Sequence, residues 1–479
     1  MDDPRMSDPN YSHSTSYAAA SERPTIAAVS TAIGAGAIGI VRMSGPASLE
    51  IGRRVFRPRR GSQRDMESHR LRYGSVVDPA NAEVIDEVLF VFLAAPATYT
   101  REDMVEIHCH GGPAAQRAVL GLLLREGARP AEPGEFTKRA YLNGRIDLAQ
   151  AESVASIVSA RTSAALKAAV HRLEGGLGDR LRAIRRDMVG ALAQIEATID
   201  FSDEDIDDVD REAVAAGLTS ARFQLARLLA TAFAGQALEE GVRTAIIGRP
   251  NVGKSSLLNS LLMRERAIVS DIPGTTRDTI EEYVEVGGLP LRLIDTAGLR
   301  DGGDEIEALG VERSRRAAEE ADLMLIVLDA SVGLTEEDRR LISAARPEHT
   351  VLVWNKIDLT RERAQPDVIP LGNGVAVVEV SARTGEGLDV LRESMVEVLL
   401  GEGRVCLEEP LLATERQRRL VEEAVESVDR ALDALAAGRP EELVAEDVRW
   451  AIESLGAITG EQVVPDLIDE IFSRFCIGK

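Results

Sequence analysis

Cysteine is scarce in this sequence: Cys109, Cys406 and Cys476 are the three in 479 residues. That excludes a disulfide framework and predicts a reducing, cytoplasmic setting. Long apolar runs are missing as well. No stretch approaches the roughly 20 residues that cross a bilayer, so no membrane insertion is expected. Basic charge is in deficit, with 56 Lys and Arg against 79 Asp and Glu and a net charge of −23. A general electrostatic grip on nucleic acid or anionic membrane is thereby excluded, and any RNA contact needs a local patch or a basic partner. The opening residues lack the basic-then-apolar run of a signal peptide. Residues 1–24 are small and polar and read as a disordered extension, with Met6 an alternative start.

What is present is a multidomain pattern, since the chain is too long for one hydrophobic core. Residues 25–142 hold short β-type runs (TIAAVST, GAIGIVRMSG, EVIDEVLFVFL, DMVEIHCHGG) interrupted by one helical run, AAQRAVLGLLLREGA, and read as an N-terminal α+β domain. Residues 143–240 are rich in Ala, Leu, Glu and Arg at helical spacing, and 403–479 return to that texture. Between them, 241–402 alternate strands with helical segments, which predicts a mainly parallel sheet covered on both faces. The expected architecture is therefore a discontinuous α-helical bundle with an α/β phosphate-loop domain inserted in it. The acidic stretch Asp200–Asp210 reads as a solvated linker rather than a metal site.

The inserted segment carries the chemistry. GRPNVGKSS follows a strand and precedes a helix, so Gly248, Gly253, Lys254 and Ser255 fit the phosphate-loop pattern in its required setting. Backbone N–H groups would wrap the phosphates, with Lys254 reaching the β- and γ-phosphates and Ser255 ligating Mg²⁺. In DIPGTTRD, Thr276 is the candidate for a second Mg²⁺ hydroxyl. Asp295 would hold the metal's water shell, and Gly298 would donate its N–H to the γ-phosphate. WNKID then selects the base: Asp358 can accept two hydrogen bonds from the N1 and N2 edge of guanine, an edge that adenine lacks. Asn355 and Lys356 shape the same pocket, and Ser381, Ala382 and Arg383 supply backbone N–H groups to the guanine oxygen. The full GTP-binding set is Asn251, Val252, Gly253, Lys254, Ser255 and Ser256; Ser270, Asp271, Ile272, Pro273, Gly274, Thr275 and Thr276; Asp295, Thr296, Ala297 and Gly298; and the five residues of the base pocket with Ala382. One expected residue is missing. Leu299 stands where Ras-like enzymes place the glutamine that orients water. Asn251 offers an oxygen to a monovalent cation beside the phosphates, or is simply a turn residue.

Other patterns carry less. Gly34, Gly36 and Gly39 mimic a dinucleotide fingerprint, but Arg59 and Arg60 stand where its acidic residue belongs. His108 and His110 share a strand face, and without further ligands nearby they read as packing and turn residues. Lys138, Arg139 and Arg145 form a basic cluster that faces an anionic ligand, or is a solvated helix face. Cys476 is a small hydrophobe by default.

Taken together, GAIGIVRMSG, EIHCHGGP, PGEFTKRAYLNGRIDLAQAES, the phosphate loop with DIPGTTRD and DTAGLR, and the terminal FCIGK resemble the MnmE (TrmE) family of tRNA modification GTPases, from about Thr25 to Lys479. The resemblance implies a folate-binding N-terminal domain that forms a homodimer. It also implies partnership with the FAD-dependent MnmG in a heterotetramer, and modification of C5 of the tRNA wobble uridine to the aminomethyl or carboxymethylaminomethyl form. The one-carbon unit would come from 5,10-methylene- or 5-formyl-tetrahydrofolate. By the same resemblance the GTPase needs K⁺, held by Asn251, Ser270, Ile272 and Thr275. Glu307 would orient the water, with Arg277 as an accessory. Arg42, Glu106, Arg145 and Lys479 match the folate positions, and Cys476 matches a cysteine viewed as catalytic. Two rivals remain: a ribosome-assembly GTPase binding rRNA, and a regulatory switch in which GTP merely controls partner binding. Assembly factors share the GTPase motifs but lack FCIGK and PGEFTKRAYLNGR.

Overall fold

The computed structural model describes residues 23–32, 34–62, 66–200, 211–264, 282–294, 320–360, 375–401 and 409–478. They fall into two compact units, 23–155 with 449–478, and the remainder of 156–448.

The first unit is built on seven strands: β1 (Ile26–Val29), β2 (Ile38–Ser44), β3 (Phe56–Pro58), β4 (Arg72–Val77), β5 (Val84–Leu93), β6 (Met104–His110) and β7 (Arg129–Pro130). Their order is β3-β4-β5-β6-β2-β1-β7. Period-two alternation sorts the side chains. Val41, Met43, Val105, Ile107 and Cys109 turn to a core closed by α1 (Ser48–Val55) and α2 (Pro113–Arg125). Arg42, Glu106 and His108 occupy the alternate positions. At one end of that second face, Ile26, Ala28 and Met104 pack on Phe136 of α3 (Glu135–Leu142). The sequence reading had one helix here; α1 and α3 are additional, each only eight residues long, too short for a clear helical period. Strand β4 was also missed because it contains Gly74. A Cβ there would lie 2.2 Å from the Arg57 carbonyl oxygen of β3, so close strand approach requires the glycine.

The chain's last residues complete this unit. Tyr141 of α3 packs with Ile468 and Phe472 of the C-terminal helix Pro465–Ser473, and its hydroxyl donates to the Gly460 carbonyl at 2.8 Å. Gly134, at φ 64°, sits where a Cβ would meet the Phe472 carbonyl oxygen at 2.7 Å. Ile477 bridges to Pro133.

After α4 (Leu148–Ser159), the second unit holds α5 (Ser163–Leu173), α6 (Gly176–Asp200), α7 (Arg211–Leu229) and α8 (Ala232–Glu240) before the α/β segment, and the long helix Glu415–Ala436 follows it. That helix packs on α7, with Arg222 and Asp429 paired at 2.9 Å, so helices from both flanks build one bundle. The helical tract is thus discontinuous in sequence, as its composition predicted.

The inserted sheet contains β8 (Val242–Ile247), β9 (Glu282–Val286), β10 (Leu289–Ile294), β11 (Leu323–Asp329), β12 (Thr350–Asn355) and β13 (Ala376–Glu379), in the order β13-β12-β11-β8-β10-β9. All neighbours are parallel except the edge strand β9, which pairs antiparallel with β10. Burial on both faces makes β11 continuously apolar. Leu325 and Val327 join one core with Leu257 and Leu261 of α9 (Lys254–Arg264), while Ile326 and Leu328 join the other with Ile342 of α10 (Glu336–Ser343). Among the described residues, no helix is long and apolar enough to cross a membrane.

Candidate functional site

Strand β8 delivers the chain to Gly248, whose φ of 150° and lack of a side chain let the loop pass β11; a Cβ there would lie 2.4 Å from the Val327 carbonyl oxygen. The loop then turns through Asn251 at φ 64° and Gly253 at φ 99° before α9 begins at Lys254. Inside it, the Lys254 ammonium donates to the Gly248 and Arg249 carbonyls at 2.7 and 2.8 Å. Burial pushes its pKa down. Ser255 and Ser256 lie exposed on the first turn of α9, where backbone N–H groups favour an anion. The Asn251 side chain is exposed, and its amide makes no hydrogen bond to another described residue. Asn251 carries an amide oxygen and Ser255 a hydroxyl, both at exposed positions of the loop and the helix it leads into, and these are donor types that hard cations such as K⁺ and Mg²⁺ take.

The base-recognition residues lean on this loop. Asn355, at the end of β12, is buried; its amide donates to the Val252 carbonyl at 2.9 Å and its oxygen accepts from the Ala382 N–H at 3.0 Å. Asn355 is a strut between the phosphate loop and the Ser381–Arg383 loop. Lys356, held at φ 67°, reaches the Asn251 carbonyl and the Asp329 carboxylate, each at 2.6 Å. Asp358 follows on a short 3₁₀ turn, Ile357–Leu359. It accepts a 2.7 Å hydrogen bond from the Ser381 hydroxyl and an ion pair from Arg383. The Ser381 hydrogen bond, then the Arg383 charge, holds the Asp358 carboxyl below the usual carboxylate range, so it is an anion ready to accept.

Sequence reasoning missed three supporting residues. Asp329 at the end of β11 pairs with Lys356. Asp338, fully buried in α10, accepts 2.8 Å from the Arg249 guanidinium of the phosphate loop. Thr335 caps α10 and donates to the same carboxylate at 2.8 Å. The sole signal for Asp338 was a capping pattern, Thr-x-x-Asp.

In the first unit, Arg42 and Glu106 are cross-strand neighbours joined by a 2.8 Å ion pair, with Arg42 5.6 Å from the Phe136 ring centroid. Arg145 stacks 4.8 Å over Tyr99, whose hydroxyl meets Thr137 at 2.9 Å. Burial raises the Tyr99 pKa, offset first by the Thr137 hydrogen bond and then by the charges of Arg145 and Arg42. Tyr99 and Phe136, the rings these two cations approach, belong to one apolar cluster. Three of the four folate candidates thus gather on one patch.

The basic cluster read from Lys138, Arg139 and Arg145 does not exist as a surface. Arg139 is 3% exposed in its side chain and bound to Glu102 and Glu135 at 2.9 and 2.8 Å, while Lys138 pairs with Asp469. A buried guanidinium must be neutralised, and two carboxylates do so. His110 pairs with Asp86 at 2.6 Å and His108 lies 3.4 Å from Glu106; no group of three metal-ligating side chains occurs among the described residues. Gly39 lies within β2, not in a phosphate-binding turn. Cys476 is exposed, and its carbonyl accepts from the Gly134 N–H at 3.3 Å. Ser270, Asp271, Ile272, Pro273, Gly274, Thr275, Thr276, Arg277, Asp295, Thr296, Ala297, Gly298, Leu299, Glu307 and Lys479 lie outside the described residues, as do 201–210 of the acidic stretch.

A parallel sheet with a phosphate loop at one strand end and NKID and SAR loops beside it defines a GTPase of the phosphate-loop class. Residues 25–145 match the family described as "GTP-binding protein TrmE N-terminus", and residues 148–476 match "MnmE helical domain". A tRNA modification GTPase MnmE of Carboxydothermus hydrogenoformans is 45% identical over 457 residues, covering 95% of this chain and 99% of the relative. The MnmE proteins of Heliobacterium modesticaldum and Moorella thermoacetica are 46% and 47% identical, each covering 95% of this chain and 99% of the relative. The chain belongs to the MnmE family of tRNA modification GTPases.

Proposed function

We propose that this protein is a cytoplasmic, K⁺-dependent, homodimeric GTPase that works with an FAD-dependent MnmG to modify C5 of the wobble uridine of tRNA. The observation that supports this reading is the bracing of three loops: Asn355 bonds the Val252 carbonyl and the Ala382 N–H, Lys356 bonds the Asn251 carbonyl, and Asp358 accepts from Ser381. Ser255 and Thr276 would hold Mg²⁺, and Asn251, with Ser270, Ile272 and Thr275, would hold K⁺. The cation supplies positive charge beside the phosphates, the part an arginine finger plays elsewhere. Glu307 would orient the water in place of a residue at Leu299, with Arg277 assisting. GTP hydrolysis in KCl is expected to exceed that in NaCl at equal ionic strength by about tenfold or more, for the same reason; equal rates would remove the cation part of this reading.

For the one-carbon unit, Arg42, Glu106 and Arg145, with Lys479, would bind a tetrahydrofolate derivative. The Arg42–Glu106 pair offers both a cation and an acceptor to a pterin or glutamate moiety, and the half-buried Tyr99 ring supplies apolar contact. Arg42→Ala is expected to weaken 5-formyl-tetrahydrofolate binding at least about tenfold by calorimetry, the scale of one charge-assisted bond. In cells it is expected to strip the wobble-uridine modification from bulk tRNA. Unchanged binding together with fully modified tRNA would sink the folate assignment. A catalytic role for Cys476 stays within the same proposal, supported by its exposure alone.

A further inference from the structure

Asp329 lies at the last position of β11, directly opposite Asn355 in the parallel register with β12. Its side chain is 8% exposed. One carboxylate oxygen accepts from the Ser331 N–H at 2.9 Å and the Ser331 hydroxyl at 2.6 Å; the other accepts from the Lys356 ammonium at 2.6 Å. Three hydrogen bonds thus hold the carboxylate, two on one oxygen and one on the other. From this anchor the Lys356 ammonium reaches across to the Asn251 carbonyl. Both ends of that link are unusual: Lys356 and Asn251 are non-glycine residues held in the left-handed region, at φ 67° and 64°. Such a conformation costs on the order of 1 kcal/mol per residue and persists where neighbours impose it.

We propose that Asp329 is a positioning residue for guanine nucleotide: acting through Lys356, it holds the phosphate loop at Asn251 in its nucleotide-binding shape. Asp329 fixes the azimuth of the lysine, the lysine takes the Asn251 carbonyl, and that hydrogen bond stabilises the left-handed turn on which the loop's N–H groups depend. Without the carboxylate, the ammonium keeps one protein acceptor and gains freedom to leave it for water. The turn at Asn251 then relaxes toward a right-handed conformation and the loop opens. This rests on the guanine-nucleotide reading of the loop, but it concerns a residue outside the phosphate-loop, NKID and SAR motifs.

The test uses the full-length protein and mant-GDP. Asp329→Asn is expected to speed mant-GDP release about tenfold, the effect of losing one charge-assisted hydrogen bond, while the melting temperature without nucleotide stays at the wild-type value. In a double-mutant cycle, Asp329→Asn added to Lys356→Met is expected to cause no further acceleration, because the carboxylate acts through that ammonium. Should Asp329→Asn not fold, Ser331→Ala, at an exposed position, removes one hydrogen bond that aims the carboxylate and is expected to speed release about threefold. Release within twofold of wild type in these variants overturns the proposal, as does a full Asp329→Asn effect persisting in the Lys356→Met background. A loss confined to the nucleotide-free melting temperature overturns it equally. If the wild-type protein binds no mant-GDP, the nucleotide reading itself is what has failed.

Discussion

Asp358→Asn is expected to weaken GDP binding by at least about a thousandfold, the scale on which a site built for a hydrogen-bonding edge rejects a ligand that mismatches it. The Asp358 carboxylate accepts from Ser381 and Arg383 and, as an anion, retains lone pairs for the N1–H and N2–H groups of guanine. An asparagine turns one acceptor into a donor. In either amide orientation that N–H₂ replaces an acceptor needed by one of the two guanine N–H groups, which are donors themselves. The same exchange suits xanthine, which carries a carbonyl where guanine carries the amine. Titration with mant-GDP and mant-XDP should therefore show loss of the first and recovery with the second. A variant that still binds mant-GDP within tenfold of wild type would show that Asp358 does not read the base.

The second large effect is expected at Gly253. Its φ of 99° disfavours any side chain, and a Cβ there would stand 2.3 Å from the Asn355 amide nitrogen. Asn355 is buried and bonded at both ends, so it can yield only by abandoning the Val252 carbonyl, the Ala382 N–H, or both. Gly253→Ala is thus expected to damage the phosphate loop and the SAR loop together. No mant-GDP binding should be detectable at about a hundred times the wild-type dissociation constant, roughly the sum of a strained turn and two broken hydrogen bonds. The nucleotide-free protein should melt about 5 °C lower. Binding within threefold of wild type would mean that the Asn355 strut is dispensable.

The sequence was most legible where function and backbone geometry are written in consecutive residues. The strand–loop–helix around Gly248–Ser255 and the strand ending in Asn355 showed their periods and glycines directly. The inserted parallel sheet was legible for a related reason, since burial on both faces leaves continuous apolar strands such as β11. Short amphipathic pieces were not. Helices α1 and α3 span barely two turns each, and β4 is broken by a glycine whose reason lies in β3. Arg139 looked like part of a basic surface because its two carboxylate partners differ in kind: Glu135 is four residues away, but Glu102 is 37 away in the loop before β6.

Read alone, the sequence located the longer strands and helices, the glycine-rich phosphate loop, and the side chains that can meet phosphate and guanine. Only the tertiary structure decided what holds those side chains still. The pairing of Asp329 with Lys356 follows from β11 lying in register beside β12, and Gly253 is constrained by Asn355 because both loops leave the C-terminal ends of parallel strands, β8 and β12, that flank β11. Propensity and spacing act over a few residues, whereas desolvated charges and close contacts are satisfied by whatever packing brings near, and that depends on the whole chain at once.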